Sequence, residues 1–131
     1  MTFATQLLED LRSPTRSLID AAPEAWSAFT GLHRAAFAEG ALPPVVKELM
    51  ALAIAVATHC DGCVAYHGRA AARLGATREQ VAEALSVALL MGGGPASVTA
   101  PRAWEVYEHY AARYHRTGDN GATHQEEADH E

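Results

Sequence analysis

Both cysteines of this 131-residue chain fall in one short run, His59-Cys60-Asp61-Gly62-Cys63-Val64-Ala65-Tyr66-His67. A C-x-x-C pair can close into a disulfide and reopen, so it stores two electrons. His67 lies one helical turn beyond Cys63, where an imidazole can take a thiol proton or return it. If a helix begins near Cys60, then Cys60, Cys63 and His67 stand at i, i+3 and i+7 and share one stripe. The start of such a helix favours negative charge, which suits Asp61 and would suit a thiolate as well. A free cysteine has a pKa of ~8.5, and a helix N-terminus with a nearby imidazole can bring it to ~7 or below. These residues in this order point to redox chemistry.

Glu48 is the group that could complete the set. It sits in Val45-Val46-Lys47-Glu48-Leu49-Met50-Ala51-Leu52, a stretch apolar on most faces. If that helix turns back onto the C-x-x-C helix, the carboxylate can approach His67, orienting and polarising the imidazole. Each residue also has a plainer reading. The thiols could be two small buried side chains, His67 a core or interface histidine, and Glu48 an early-helix acid favoured by the dipole. Tyr66 reads as a packing residue, and His59 as a loop residue without assigned chemistry.

Two metal-based rivals fit poorly. Zinc held by His59, Cys60, Cys63 and His67 would need four ligands from mostly one helix, whereas tetrahedral sites draw on separated segments. A c-type haem needs His directly after the second Cys, and residue 64 is Val. His109, His115, His124 and His130 would form a metal tract only if the C-terminal tail were folded.

The elements that must position these groups are helical. The chain has 28 alanines and few β-branched runs, which favours helix over strand. Thr2 to Arg12 reads as a first helix ended near Pro14, with another turn or two over Thr15–Asp20. Pro23 opens a helix that stops at Gly40, and Pro43-Pro44 opens the next, to about Thr58. The C-x-x-C helix ends at Leu74-Gly75. Thr77-Arg78-Glu79-Gln80 is a capping-box pattern for a helix closed by Gly92-Gly93-Gly94. A last helix runs from about Pro95 to Arg116 and is expected to bend at Pro101 or to start in earnest after it. Trp26, Phe29 and Phe37 are spaced as core. Trp104, Tyr107, Tyr110 and Tyr114 form a face that meets the core or another subunit. The expectation is an all-α, single-domain helical bundle of about six helices over residues 1–117, followed by a disordered acidic tail over 118–131.

The net charge of −6 is uneven, because five of the 16 acids lie in the tail. The body holds 11 acids against 10 bases and offers no electrostatic footprint for nucleic acid or an anionic membrane. The most apolar run, Leu49 to Ala57, has nine residues, against the ~20 that a spanning helix needs. The N-terminus shows no basic flank followed by an apolar stretch, so a cytoplasmic location is expected. In a reducing compartment a C-x-x-C is more often redox-active or metal-bound than structural.

Glu48, eleven residues, Cys60-x-x-Cys63, three residues, His67 resembles the signature of the alkylhydroperoxidase D-like branch of the carboxymuconolactone decarboxylase superfamily. The resemblance covers most of residues 23–116, including the Pro-Pro start before the Glu48 helix and the glycine break at Gly92–Gly94. It implies an all-helical fold, assembly into homo-oligomeric trimers or hexamers, and an antioxidant thiol peroxidase or disulfide reductase activity. By the same resemblance Cys63 is the peroxidatic cysteine that attacks a hydroperoxide, Cys60 the resolving cysteine, and Glu48 and His67 the proton relay. No bound cofactor is implied. An external dithiol reductant is, whether a lipoyl domain, thioredoxin or a small thiol. One position departs: members with clear hydroperoxidase activity can carry a further His immediately before the second cysteine, and here that residue is Gly62. The lactone decarboxylase branch generally lacks the paired cysteines, which counts against that chemistry. General dithiol–disulfide exchange and a non-catalytic helical oligomer that senses oxidation are the remaining alternatives.

Overall fold

Helix formers punctuated by prolines, glycines and caps give six α-helices and no strand among the described residues, 2–118, of a computed structural model of the chain. They are α1 (Phe3–Ala21), α2 (Pro23–Phe37), α3 (Pro44–Ala57), α4 (Asp61–Arg73), α5 (Arg78–Gly92) and α6 (Ala96–Gly118). Prolines open α2 and α3 where a missing N–H costs nothing. The expected capping box opens α5: the Gln80 N–H donates to Thr77 Oγ1 at 3.1 Å, and the Thr77 N–H donates to Gln80 Oε1 at 2.9 Å. Gly93, with φ +68°, ends α5 in a backbone conformation that L side chains rarely adopt.

α4 is the central element, packed between α3 and α6 and covered at one side by α1. Its inner residues are small: Val64, Ala65, Gly68, Ala71 and Ala72 are all buried. A Cβ on Gly68 would lie 2.6 Å from Val106 Cγ1, so α4 and α6 approach as closely as two backbones with one bare residue allow. The opposing stripe on α6 runs Ala96, Ala100, Ala103, Val106, Tyr107, Tyr110, Ala111. No helix among the described residues is long and apolar enough to cross a membrane.

Three expectations need correction. α1 does not end near Pro14 but runs through it to Ala21. Its inward stripe, Ala4, Leu8, Leu11, Thr15 and Ile19, keeps helical spacing across the proline, so packing on both sides outweighs one missing backbone bond at an exposed position. α6, by contrast, follows the expected start near Pro95: it begins at Ala96 and contains Pro101, and Ala96 and Ala100 are already buried against the body. Trp26, Phe29 and Phe37 are not core. α2 contains no buried residue, ends at Phe37 short of Gly40, and leaves Phe29 61% exposed. Of the aromatic face on α6, Tyr107 meets the core: it is buried in its own chain, its hydroxyl donating to the Ala76 carbonyl at 2.5 Å. Trp104 packs against the core, with the Arg78 guanidinium 4.8 Å from its ring centre. Of the acidic tail, residues 119–131 lie outside the described residues.

Candidate functional site

The turn between α3 and α4 sets the two sulfurs. The Thr58 hydroxyl donates to the Ile54 carbonyl at 2.8 Å, closing α3. His59 then adopts φ +58°, a left-handed conformation that costs a non-glycine residue roughly 1 kcal/mol and reverses the chain sharply. Cys60 follows as the N-cap of α4, in extended backbone, and its sulfur accepts the Cys63 N–H at 3.2 Å. Cys63 is already helical, and the two residues are joined as a disulfide with their Cα atoms 5.2 Å apart. Asp61, which would compete with a thiolate for the positive end of α4, is engaged by Arg102 Nη1 at 2.7 Å. The same guanidinium lies 5.0 Å from the centre of the Phe3 ring, so α1, α4 and α6 are clamped together at this end.

α3 and α4 also bring Glu48 and His67 together. Glu48 shares the inward face of α3 with Leu52, Ala55 and Val56 and is only 6% exposed. A carboxylate at that depth requires a partner, and it has one: Glu48 Oε2 lies 2.7 Å from His67 Nδ1. With the Nδ1 proton directed at the carboxylate, the neutral imidazole carries its lone pair on Nε2, the nitrogen left for proton transfer.

Sequence reasoning missed the third side of the site, which α2 supplies. The rings of His33, Phe37 and His67 lie nearly parallel. Centroid separations are 4.6 Å for His33–Phe37, 5.6 Å for Phe37–His67 and 6.4 Å for His33–His67. A groove of about 330 Å³ runs along these rings to Cys63, walled by apolar residues that include Phe29, Leu32 and Ala36 of α2 and Ile54 of α3. The only local signal for this wall was the i, i+4 pairing of His33 with Phe37, and nothing in it pointed to His67.

The other candidates fall outside this arrangement. The Tyr66 ring lies beneath the Arg69 guanidinium, 5.9 Å away. His59 Nδ1 stands 3.4 Å from Thr99 Oγ1, and His109 meets the edge of Tyr110. His124 and His130 lie outside the described residues. Among the described residues, no three His, Cys, Asp or Glu side chains are grouped so as to hold a metal ion.

The profile of the carboxymuconolactone decarboxylase family matches residues 23–106. An uncharacterized protein of Cupriavidus necator is 44% identical over 101 residues, covering 77% of this chain and 89% of its own. An uncharacterized protein encoded in the cox locus of Paracoccus denitrificans is 42% identical over 81 residues, covering 62% of this chain and 73% of its own. Among solved structures, an apo carboxymuconolactone decarboxylase family protein from Legionella pneumophila superimposes with a TM-score of 0.80 at 36% identity, over 82% of this chain and 96% of that one.

Proposed function

The chain belongs to the carboxymuconolactone decarboxylase family, and from that premise we propose that it is a thiol-dependent peroxidase acting on organic hydroperoxides. The observation that carries this reading is the Cys60–Cys63 disulfide at the start of α4, with a carboxylate-bound imidazole one helical turn from Cys63 and an apolar groove leading to it.

In the reduced protein His67 Nε2 takes the proton of Cys63, and the helix N-terminus stabilises the thiolate. The sulfur attacks the terminal oxygen of ROOH. An S–O bond forms, the O–O bond breaks, and the electron pair leaves with RO⁻, which takes back the proton from His67. Cys63 is then a sulfenic acid. The Cys60 thiol displaces its oxygen as water and forms the disulfide, which protects Cys63 from irreversible oxidation. An external dithiol opens the disulfide by two exchange steps and leaves oxidised itself. A lipoyl domain, thioredoxin or a small thiol would serve. Glu48 keeps the His67 tautomer and ring plane fixed through the cycle. The paired cysteines, which lactone decarboxylase chemistry does not call for, favour the redox reading over the reaction that names the family.

Two further parts of the proposal concern the setting. A cytoplasmic, reducing environment would supply the dithiol. A homo-oligomer, trimer or hexamer, would cover the apolar side chains that the single chain leaves in water.

The test is peroxide consumption with a panel of dithiol donors. Cys63→Ser should abolish it. Cys60→Ser should complete one turnover and stop at a sulfenic acid that a dimedone-type probe labels on Cys63. Undiminished consumption by Cys63→Ser, or labelling of Cys60 in that variant, would overturn the assignment.

A further inference from the structure

The groove lined by Cys63 and His67 holds one more polar group that the cycle above does not use. Four of its lining side chains can form hydrogen bonds: His33, Thr58, Cys63 and His67. The Thr58 hydroxyl is committed to the Ile54 carbonyl, and His67 Nδ1 to Glu48. The His33 ring has no hydrogen-bond partner among the described residues. Its face rests on Phe37 at a centroid distance of 4.6 Å, with planes 23° apart. Stacking of this kind occupies the face of an imidazole and leaves free the edge that carries its nitrogens. The three separations, 4.6, 5.6 and 6.4 Å, describe a triangle of rings and not a column. The two histidine rings, 6.4 Å apart and 13° apart in plane, therefore line the same groove.

Resting on the peroxidase reading, we infer that His33 is a substrate-binding group of this site, whose N–H donor holds the oxygen of the hydroperoxide that departs. As the O–O bond breaks, negative charge gathers on the RO oxygen. That charge must be met by a donor while His67 returns the proton taken from Cys63. The organic group R then lies along the apolar side chains of Phe29, Leu32 and Ile54. Thus α2 contributes both an oxygen-binding group and an apolar wall to the groove. This second imidazole comes from a different helix than position 62, where the chain has glycine.

Two variants separate this role from the packing of α2. His33→Phe keeps a planar ring against Phe37 and removes both nitrogens, and His33→Gln restores a donor without the ring. The reduced proteins are mixed with cumene hydroperoxide, and disulfide formation is followed in a single turnover. Iodoacetamide alkylation of reduced Cys63 is measured in parallel as a function of pH. His33→Phe should slow oxidation on the order of 100-fold, with the alkylation profile unchanged, and His33→Gln should recover part of the rate. Oxidation of His33→Phe at the wild-type rate overturns the inference, and so does a joint loss of oxidation and alkylation, which would make His33 a packing residue. Should His33→Phe fail to fold, His33→Leu is read by the same criteria. Wild-type protein that leaves cumene hydroperoxide intact overturns the peroxidase reading itself, a result distinct from active wild type with an unimpaired variant.

Discussion

Glu48 and Tyr107 are two acids buried for different ends, and substitution should separate them. Glu48→Gln preserves shape and an acceptor for His67 Nδ1 but removes the charge that polarises the ring. The rate of Cys63 oxidation should fall on the order of 100-fold with little loss of fold, and its pH profile should change shape. An unchanged stopped-flow pH–rate profile would make Glu48 a purely structural partner. Tyr107 does no chemistry. Burial raises its pKa above the ordinary tyrosine value, Arg78 opposes that rise, and Glu79 and Glu108 add to it. The neutral phenol is therefore the form the fold prefers. The stability it contributes is fully present below the unfolded pKa of ~10 and is lost as pH climbs through the raised folded value. Tyr107→Phe removes the donor to the Ala76 carbonyl and should cost about 1–2 kcal/mol near neutrality. The same variant should lose stability less steeply above pH ~10, and urea unfolding at neutral and alkaline pH measures both effects.

The α4–α6 contact is a tight joint between elements, and Gly68 sets it. A Cβ there would meet Val106 Cγ1 at 2.6 Å, too close without a backbone shift. Gly68→Ala should thus destabilise by about 1–3 kcal/mol, despite the better helix propensity of alanine. A midpoint of denaturant unfolding equal to wild type would show that the two helices can slide apart freely. This joint also marks what could be read along the chain. The helix starts at Pro23, Pro44 and Thr77 were legible because capping and proline chemistry is local. Cys60, Cys63 and His67 were legible because they lie within two helical turns. Glu48 was legible only on the condition that its helix turns back onto the C-x-x-C helix, since the α3–α4 packing is what brings it to His67. His33 and Phe37 were not legible as site residues: they are far from Cys63 in the chain, and a helix with no buried residue offers no core periodicity to anchor it. The passage of α1 through Pro14 was hidden for the opposite reason, because a strong local stop signal gave way to packing on both sides of it.

The folded chain keeps a good deal of apolar surface in water. Leu90 and Met91 at the end of α5 are 82% and 77% exposed, and Val98 on α6 is 69% exposed. Several large side chains left out of a single core are a mark of an association surface. Light scattering at micromolar concentration should therefore report a trimer or hexamer, and deletion of residues 118–131 should leave that mass per assembly intact apart from the tail itself. Leu90→Glu combined with Met91→Glu should shift the population toward smaller species. A stable wild-type monomer would contradict the assembly outright.

The division of the site between α2 and the pair α3–α4 has an evolutionary side. Glu48, Cys60, Cys63 and His67 are tied to the packed interior, where most changes carry a stability penalty. Phe29, Leu32 and Ala36 belong to a helix that the interior hardly needs. On the peroxidase proposal, mutations there can accumulate almost neutrally while altering which organic groups the groove accepts, so substrate range would drift without risk to the chemistry at Cys63. A library randomised at positions 29, 32 and 36 should yield mostly folded, redox-competent proteins with divergent preferences among hydroperoxides. A comparable library at positions 52, 55 and 56 of α3 should yield mostly unfolded ones.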